Sequence, residues 1–155
     1  MNRIESEAFV FGGIMLLANK LQIWGDGIVE GMTMKQLFLL IVMEKMENKN
    51  PTITEVAEVS GTSRQNVKKM LIQLEEKGFV NMGKSEADAR AFNVSLSEKA
   101  YAYFAENDEK FNAILRGLFS EIPDDALRLT QKTLTILFAS LNQPDKGEQL
   151  KGLRL

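Results

Sequence analysis

The stretch that most constrains the fold is residues 60–80, which read SGTSRQNVKKMLIQLEEKGFV. Gly61 can take the positive φ of a tight turn, Ser63 is a residue type that caps helix N-termini, and Gly78 is typical of a helix end. Apolar residues recur between them at helical spacing, at Val67, Leu71 and Leu74. A short helix, a glycine-containing turn and a capped second helix are the helix-turn-helix pattern.

Two capping boxes mark the helices before this turn. Thr52 followed by Glu55 predicts a short helix to about residue 59, with Val56, Ala57 and Val59 facing inward. Thr33 followed by Gln36 predicts an earlier helix, and the apolar run LFLLIVM behind it indicates a helix buried on most sides.

A change of period after residue 78 predicts a β-hairpin. Residues 79–82 and 91–96 read as strands, separated by the polar segment GKSEADAR. After the strands, Ser97 caps the first of two long helices and Pro123 begins the second. At the other end of the chain, residues 4–23 form an N-terminal helix that the glycines of WGDGIVEG break.

The predicted fold class is therefore mainly α with a small β-hairpin wing, in a single domain spanning 1–155. Its winged helix-turn-helix core covers about 33–97. Residues 4–23 and 98–141 form flanking helices, and 142–155 form a loosely held tail.

The absence of two residue types excludes several classes of function. The 155 residues include no cysteine and no histidine, which excludes disulfides, thiol redox sensing, Ser-His and Cys-His catalysis and the usual zinc or iron ligands. Carboxylate pairs such as Asp124-Asp125 and Glu75-Glu76 are explained by solvated helix ends. We predict no catalysis, no metal site and no cofactor.

Charge and hydropathy favour a cytoplasmic protein without a membrane partner. The net charge is −2, but residues 62–93 carry +2 and the remainder −4. This distribution suits a DNA-binding protein whose other surfaces have other roles. The apolar runs 8–18 and 37–43 are too short to span a bilayer. The positive charge of Arg3 is cancelled by Glu5 and Glu7, so the segment before the first run does not have the positive charge of a signal-peptide n-region.

The polar residues of the second helix crowd its N-terminal half, where a helix reads base edges in the major groove. Arginine can form two hydrogen bonds with guanine, and glutamine or asparagine can form two with adenine. Lysine mainly contacts phosphate. The alternative is an ordinary solvated face. The candidate DNA-binding residues of this helix are Ser63, Arg64, Gln65, Asn66, Lys68 and Lys69.

The order of these motifs resembles the MarR family of bacterial transcriptional regulators. The matching positions are Ala57, Ser63-Arg64, Leu74-Glu75 with Gly78, Asp88-x-Arg90, and Leu96-Ser97 with Ala100. The chain departs from the family pattern at Ala89 and Ala100. In the wing, Lys84 and Arg90 are the candidate DNA contacts, and Asp88 would support the turn or the Arg90 side chain.

The resemblance implies a homodimer, built by the flanking helices, that binds a pseudo-palindromic operator as a ligand-responsive repressor. The effector would be a small organic, often aromatic, molecule, or absent altogether. The rings of Phe9, Phe11, Trp24 and Tyr101 are candidates to line its pocket, and core packing is their alternative use. The alternative function is a winged-helix module that binds protein or RNA, which the net negative charge favours.

Overall fold

The computed structural model describes residues 2–84 and 92–141. It confirms the predicted class: mainly helical, with one antiparallel pair of strands. In chain order the elements are α1 Arg3–Asp26, α2 Met34–Lys45, α3 Ile53–Ser60, α4 Arg64–Glu76, β1 Val80–Lys84, β2 Phe92–Leu96, α5 Glu98–Phe119 and α6 Asp124–Leu141.

Side-chain caps begin the helices where the sequence predicts them. The Thr33 hydroxyl accepts from the Gln36 N–H at 3.2 Å, and Gln36 Oε1 accepts from the Thr33 N–H at 3.1 Å. Thr52 and Glu55 form the same reciprocal pair at the start of α3. Each pair satisfies two of the N–H groups that a helix start leaves without backbone partners.

The chain divides into two compact units, residues 1–106 and 107–155, with the boundary inside α5. The core of the first unit is built from the inner faces of α2, α3 and α4 and from the strands. Its most buried large side chains are Leu37, Leu39, Leu40, Val56, Val67, Leu71, Leu74, Val80 and Val94.

The hairpin is tied to the helices on both sides. Strand β1 pairs with β2 in the register Val80↔Leu96 to Lys84↔Phe92, so β1 starts one residue later and runs further than predicted. Strand β2 also bridges Thr52, and the Val94 N–H donates to the Pro51 carbonyl at 2.9 Å. The segment before α3 thus covers the second edge of β2, which the sequence pattern did not indicate.

Helix α1 ends inside WGDGIVEG as expected, but at Asp26, three residues later than predicted. The Met34 side chain lies over Gly25, where an added Cβ would sit 2.5 Å from Met34 Cγ, so glycine suits this position in the helix. The Asp26 carboxylate also accepts from the Met34 N–H at 2.6 Å. Val59, expected to face inward, is 60% exposed because it lies in the last turn of α3, beyond the buried face formed by Ile53, Val56 and Ala57.

Helix α1 presents apolar residues on all sides, and its single buried residue is Gly25. By length and composition alone it could cross a membrane, with a mean hydropathy of 1.3, although its uninterrupted apolar run is shorter. A helix that is apolar all round is ordinarily covered by other helices or by lipid. Its exposed large residues are Ile4, Phe9, Val10, Phe11, Ile14, Met15, Leu16, Leu17, Ile23 and Trp24.

The second unit, described to residue 141, contains the C-terminal part of α5 and all of α6. No residue of α6 is buried. Its exposed large apolar side chains include Leu129, Ile136, Phe138 and Leu141, at 57–79% exposure.

Candidate nucleic-acid interface

A three-residue turn sets the entry of α4. Gly61 ends α3 with φ 66°, and the Thr62 N–H donates to the Ala57 carbonyl at 3.2 Å. Left-handed backbone of this kind strains residues that carry a Cβ, so glycine suits the position. The Ser63 hydroxyl then accepts from the Asn66 N–H at 3.3 Å and caps α4 as predicted.

One face of α4 anchors the helix, and another is open to solvent. Val67, Leu71 and Leu74 are each 0% exposed. Because these three side chains hold the helix in the core, the polar residues are turned outward. The exposed set at the N-terminal half is the predicted one: Ser63, Arg64, Gln65, Asn66, Lys68 and Lys69.

The outward face combines free cations with hydrogen-bonding amides. Within the described part of the chain, the side chains of Arg64, Lys68 and Lys69 take part in neither a hydrogen bond nor an ion pair. Their charges, and the amide of Gln65, are available to a polyanion. Exposed Glu76 sets the far limit of this face, because its carboxylate would repel phosphate.

Ile72 is a residue that the sequence prediction missed. It is 41% exposed and lies one turn beyond Lys68 and Lys69 on the outward side of α4. An exposed aliphatic side chain on such a face suits contact with a thymine methyl group. The sequence could have indicated this position, because Ile72 follows Lys69 by three residues and Lys68 by four, a spacing that places them on the same side of a helix.

The strands are joined to the C-terminal half of α4. Glu75 Oε1 accepts from the Met82 N–H at 2.9 Å, and the Phe79 N–H donates to the Leu74 carbonyl at 2.9 Å. The Ser97 hydroxyl donates to the Gly78 carbonyl at 2.7 Å. Lys84, a candidate DNA contact, is exposed at the end of β1. Asp88 and Arg90 lie outside the described residues.

Electrostatics at the start of α3 stabilise the segment that precedes the turn. The backbone N–H of Thr52 and then its hydroxyl donate to Glu55 and lower the pKa of that carboxyl below its ordinary value. Hydrogen bonds to the charged form have this effect. The carboxylate is therefore ionised at neutral pH and serves the cap.

The four rings proposed to line an effector pocket are all exposed in one chain, at 70% for Phe9, 72% for Phe11, 41% for Trp24 and 47% for Tyr101. Phe9 and Trp24 lie on the same helix, about 22 Å apart along its axis. One chain therefore does not gather all four rings into a single pocket, and their alternative use in the core of one chain is not observed either. An open notch of about 450 Å³ beside Phe9 is lined by α1 alone.

The acidic side chains of the described residues are the candidate ligands for a metal site. In residues 2–84 and 92–141, no three acidic side chains come together in a group that could hold a metal ion. Glu75 and Glu76 are exposed on α4, and Asp124 and Asp125 occupy the exposed first turn of α6.

Comparison with known sequences decides the family. The family described as transcriptional regulator SarA/Rot matches residues 29–106, half of the chain, and the match includes the whole helix-turn-helix and both strands. The chain belongs to this family of transcriptional regulators.

Individual relatives agree with this assignment. The transcriptional repressor MprA of Escherichia coli K12 is 26% identical over 112 residues, which cover 70% of this chain and 64% of MprA. The chain thus spans just under two thirds of that relative's length. The HTH-type regulator YfiV of Bacillus subtilis is 29% identical over 117 residues, covering 74% of this chain and 71% of YfiV.

Solved structures confirm the resemblance to the MarR fold. Sco3205, a MarR family transcriptional regulator from Streptomyces coelicolor whose structure was determined in complex with DNA, superimposes with a TM-score of 0.78. The two sequences are 17% identical, and the superposition covers 91% of each chain.

Proposed function

We propose that this protein is a sequence-specific regulator that binds double-stranded DNA as a homodimer, recognises a pseudo-palindromic operator with α4, and represses transcription until a small organic effector releases it. The observation that carries the proposal is the outward face of α4. Its N-terminal half carries cations without a partner among the described residues, together with amides, opposite a fully buried apolar stripe. Family membership supports the same conclusion.

DNA binding follows from the chemistry of that face. Arg64 and Gln65 have side chains that can pair with base edges, whereas Lys68 and Lys69 supply charge to phosphates. The N-terminus of a helix adds its partial positive charge. The relative Sco3205, which shares the fold, was crystallised with DNA.

The dimer is supported by apolar surface that a single chain leaves uncovered. Helix α1 is apolar all round, yet only Gly25 is buried, and α6 exposes large apolar side chains along its length. Isolated soluble chains rarely expose contiguous apolar patches of this kind. A second copy is the occupant we propose rather than a membrane, because Asp26 and Met34 hold the C-terminal end of α1 against α2. A cytoplasmic location is part of the same proposal.

The effector is proposed from the exposed aromatic rings of α1 and α5. Since one chain does not gather the rings into one pocket, we propose that any pocket forms only when two chains meet. Organic rather than thiol or histidine chemistry is proposed because the chain has neither Cys nor His.

A selection experiment tests the proposed function. Purified protein is incubated with a random pool of DNA duplexes, and the retained duplexes are sequenced. We expect a two-fold symmetric consensus, bound about 10³-fold or more tightly than random duplex at physiological salt. Arg64→Ala and Gln65→Ala should each reduce discrimination at single base positions by about 1–3 kcal/mol. Retention of no particular duplex, together with tight binding of RNA or protein, would instead support an interaction module.

A further inference from the structure

Gln36 is the one buried polar side chain in the core of the described residues, at 3% exposure. Both the nitrogen and the oxygen of its amide have hydrogen-bond partners. The Nε2 group donates to Gln73 Oε1 at 2.8 Å, and Oε1 accepts from the Thr33 N–H at 3.1 Å and from Lys77 Nζ at 3.2 Å. Gln73 belongs to α4 and Lys77 is its C-cap, so one side chain joins the start of α2 to the end of α4.

A helix cap alone does not require this arrangement. At the start of α3, Glu55 completes an equivalent capping box without bonding another helix through it. Burying an amide is costly unless its donors and acceptors are satisfied, and an apolar side chain would fill the same space without that requirement. The amide differs from an apolar side chain because its hydrogen bonds to Gln73 and Lys77 have direction.

The direction of these hydrogen bonds matters because apolar contacts alone only weakly restrict the translation of a helix along its axis and its rotation about that axis. Val67, Leu71 and Leu74 hold α4 in the core, but the apolar contacts that they make are non-directional. Hydrogen bonds of 2.8 and 3.2 Å to residues one turn apart restrict both shifts.

The partner helix α2 is itself fixed to α1. The Asp26 carboxylate accepts from the Met34 N–H at 2.6 Å, and the Met34 side chain closes over Gly25. A continuous chain of contacts therefore runs from α1, which we propose to form the dimer, through the start of α2 to the recognition helix.

We propose that Gln36 is a positioning residue that sets the placement of α4 relative to α1 and thereby the spacing at which a dimer reads its two half-sites. This inference rests on the proposed function. Its specific content is that the Gln36–Gln73 bond, and not the cap of α2, determines the preference for half-site spacing.

Three single variants separate the two roles. Gln36→Met removes the side-chain half of the cap and both cross-helix bonds. Gln73→Met removes only the cross-helix bond to the Gln36 amide. Thr33→Ala removes the hydroxyl half of the cap but leaves the bonds between the helices. The probes are a duplex that the wild type selects from a random pool and the same duplex with one base pair inserted at its centre, which moves the half-sites apart by about 3.4 Å.

The readout is the ratio of the two Kd values, because a loss of stability alone lowers the active fraction for both probes equally. For Gln36→Met and Gln73→Met we expect the wild-type preference for the native spacing to fall about fivefold to tenfold. The double variant should fall no further than Gln36→Met alone, because that change already removes the bonds to both Gln73 and Lys77. Thr33→Ala should retain the wild-type ratio.

An unchanged ratio in Gln73→Met with an intact circular dichroism spectrum would overturn the inference, and this variant decides even if Gln36→Met fails to fold. An equal fall in Thr33→Ala would overturn it too, by showing that the cap is sufficient. Failure of the proposed function would give a different result, because the wild-type protein would then select no duplex from the random pool. The inference, which rests on that function, would be overturned as well.

Discussion

Removal of one lysine from the recognition helix should change the salt dependence of DNA binding by a calculable amount. Lys69 is exposed and without an ion pair in the described structure, so a phosphate contact would release a counterion without first breaking a bond within the protein. Each such contact contributes about −0.9 to the slope of log K against log salt concentration. A dimer of the Lys69→Gln variant loses two contacts, so its slope should be shallower by about 1.8.

The assay is fluorescence anisotropy of a labelled duplex titrated at several KCl concentrations. Over a fourfold rise in salt, the wild type should lose about twelvefold more affinity than Lys69→Gln, on both selected and random duplexes. Lys35→Gln is the matched control, because Lys35 is an exposed lysine at the start of α2, beside the opposite end of α4. A Lys69→Gln variant with the wild-type slope, or a Lys35→Gln variant with the same change, would refute the placement of the phosphate contacts.

Three further outcomes are expected. Leu17→Glu on α1 should convert the proposed dimer into monomers in sedimentation velocity, whereas Val59→Glu, at a similarly exposed site on α3, should remain dimeric; a dimeric Leu17→Glu protein would contradict the role of α1. Arg90→Ala, in the predicted wing, should weaken operator binding by about 1–3 kcal/mol in the anisotropy assay, and unchanged affinity would make Arg90 a solvated residue. Mild peroxide or a metal chelator should leave DNA binding unchanged in gel shifts, because the chain has no thiol or imidazole; reversible loss on mild oxidation would disprove this.

Features that depend on adjacent residues were predictable from the sequence. The caps at Thr33, Thr52 and Ser63 and the turn at Gly61 are confirmed because each depends on side chains within a few positions of the backbone that they serve. The outward face of α4 could also be predicted, since its buried stripe follows the helical period.

Features that depend on distant residues were not predictable. Gly25 suits its place in α1 because Met34, nine positions later, lies where a Cβ would be. The bridge from Thr52 to Asn93 and the bond from Gln36 to Gln73 join segments about forty residues apart, and no local pattern indicates such pairs. The sequence predicts that Val59 faces inward, whereas it lies in the last turn of α3, outside the buried face of that helix.

The most direct test of recognition by α4 uses the absence of cysteine from the chain. A Gln65→Cys variant carries a single thiol, which is coupled to an iron chelate that cleaves nearby DNA. On a selected duplex, the proposed dimer should produce two symmetric clusters of cleavage with centres about 10 base pairs apart. The same chelate on a Gln22→Cys variant, on α1, is the control and should not produce these clusters. Absence of cleavage by the Gln65→Cys protein bound to its duplex would contradict recognition by α4, and a single cluster would contradict the dimer.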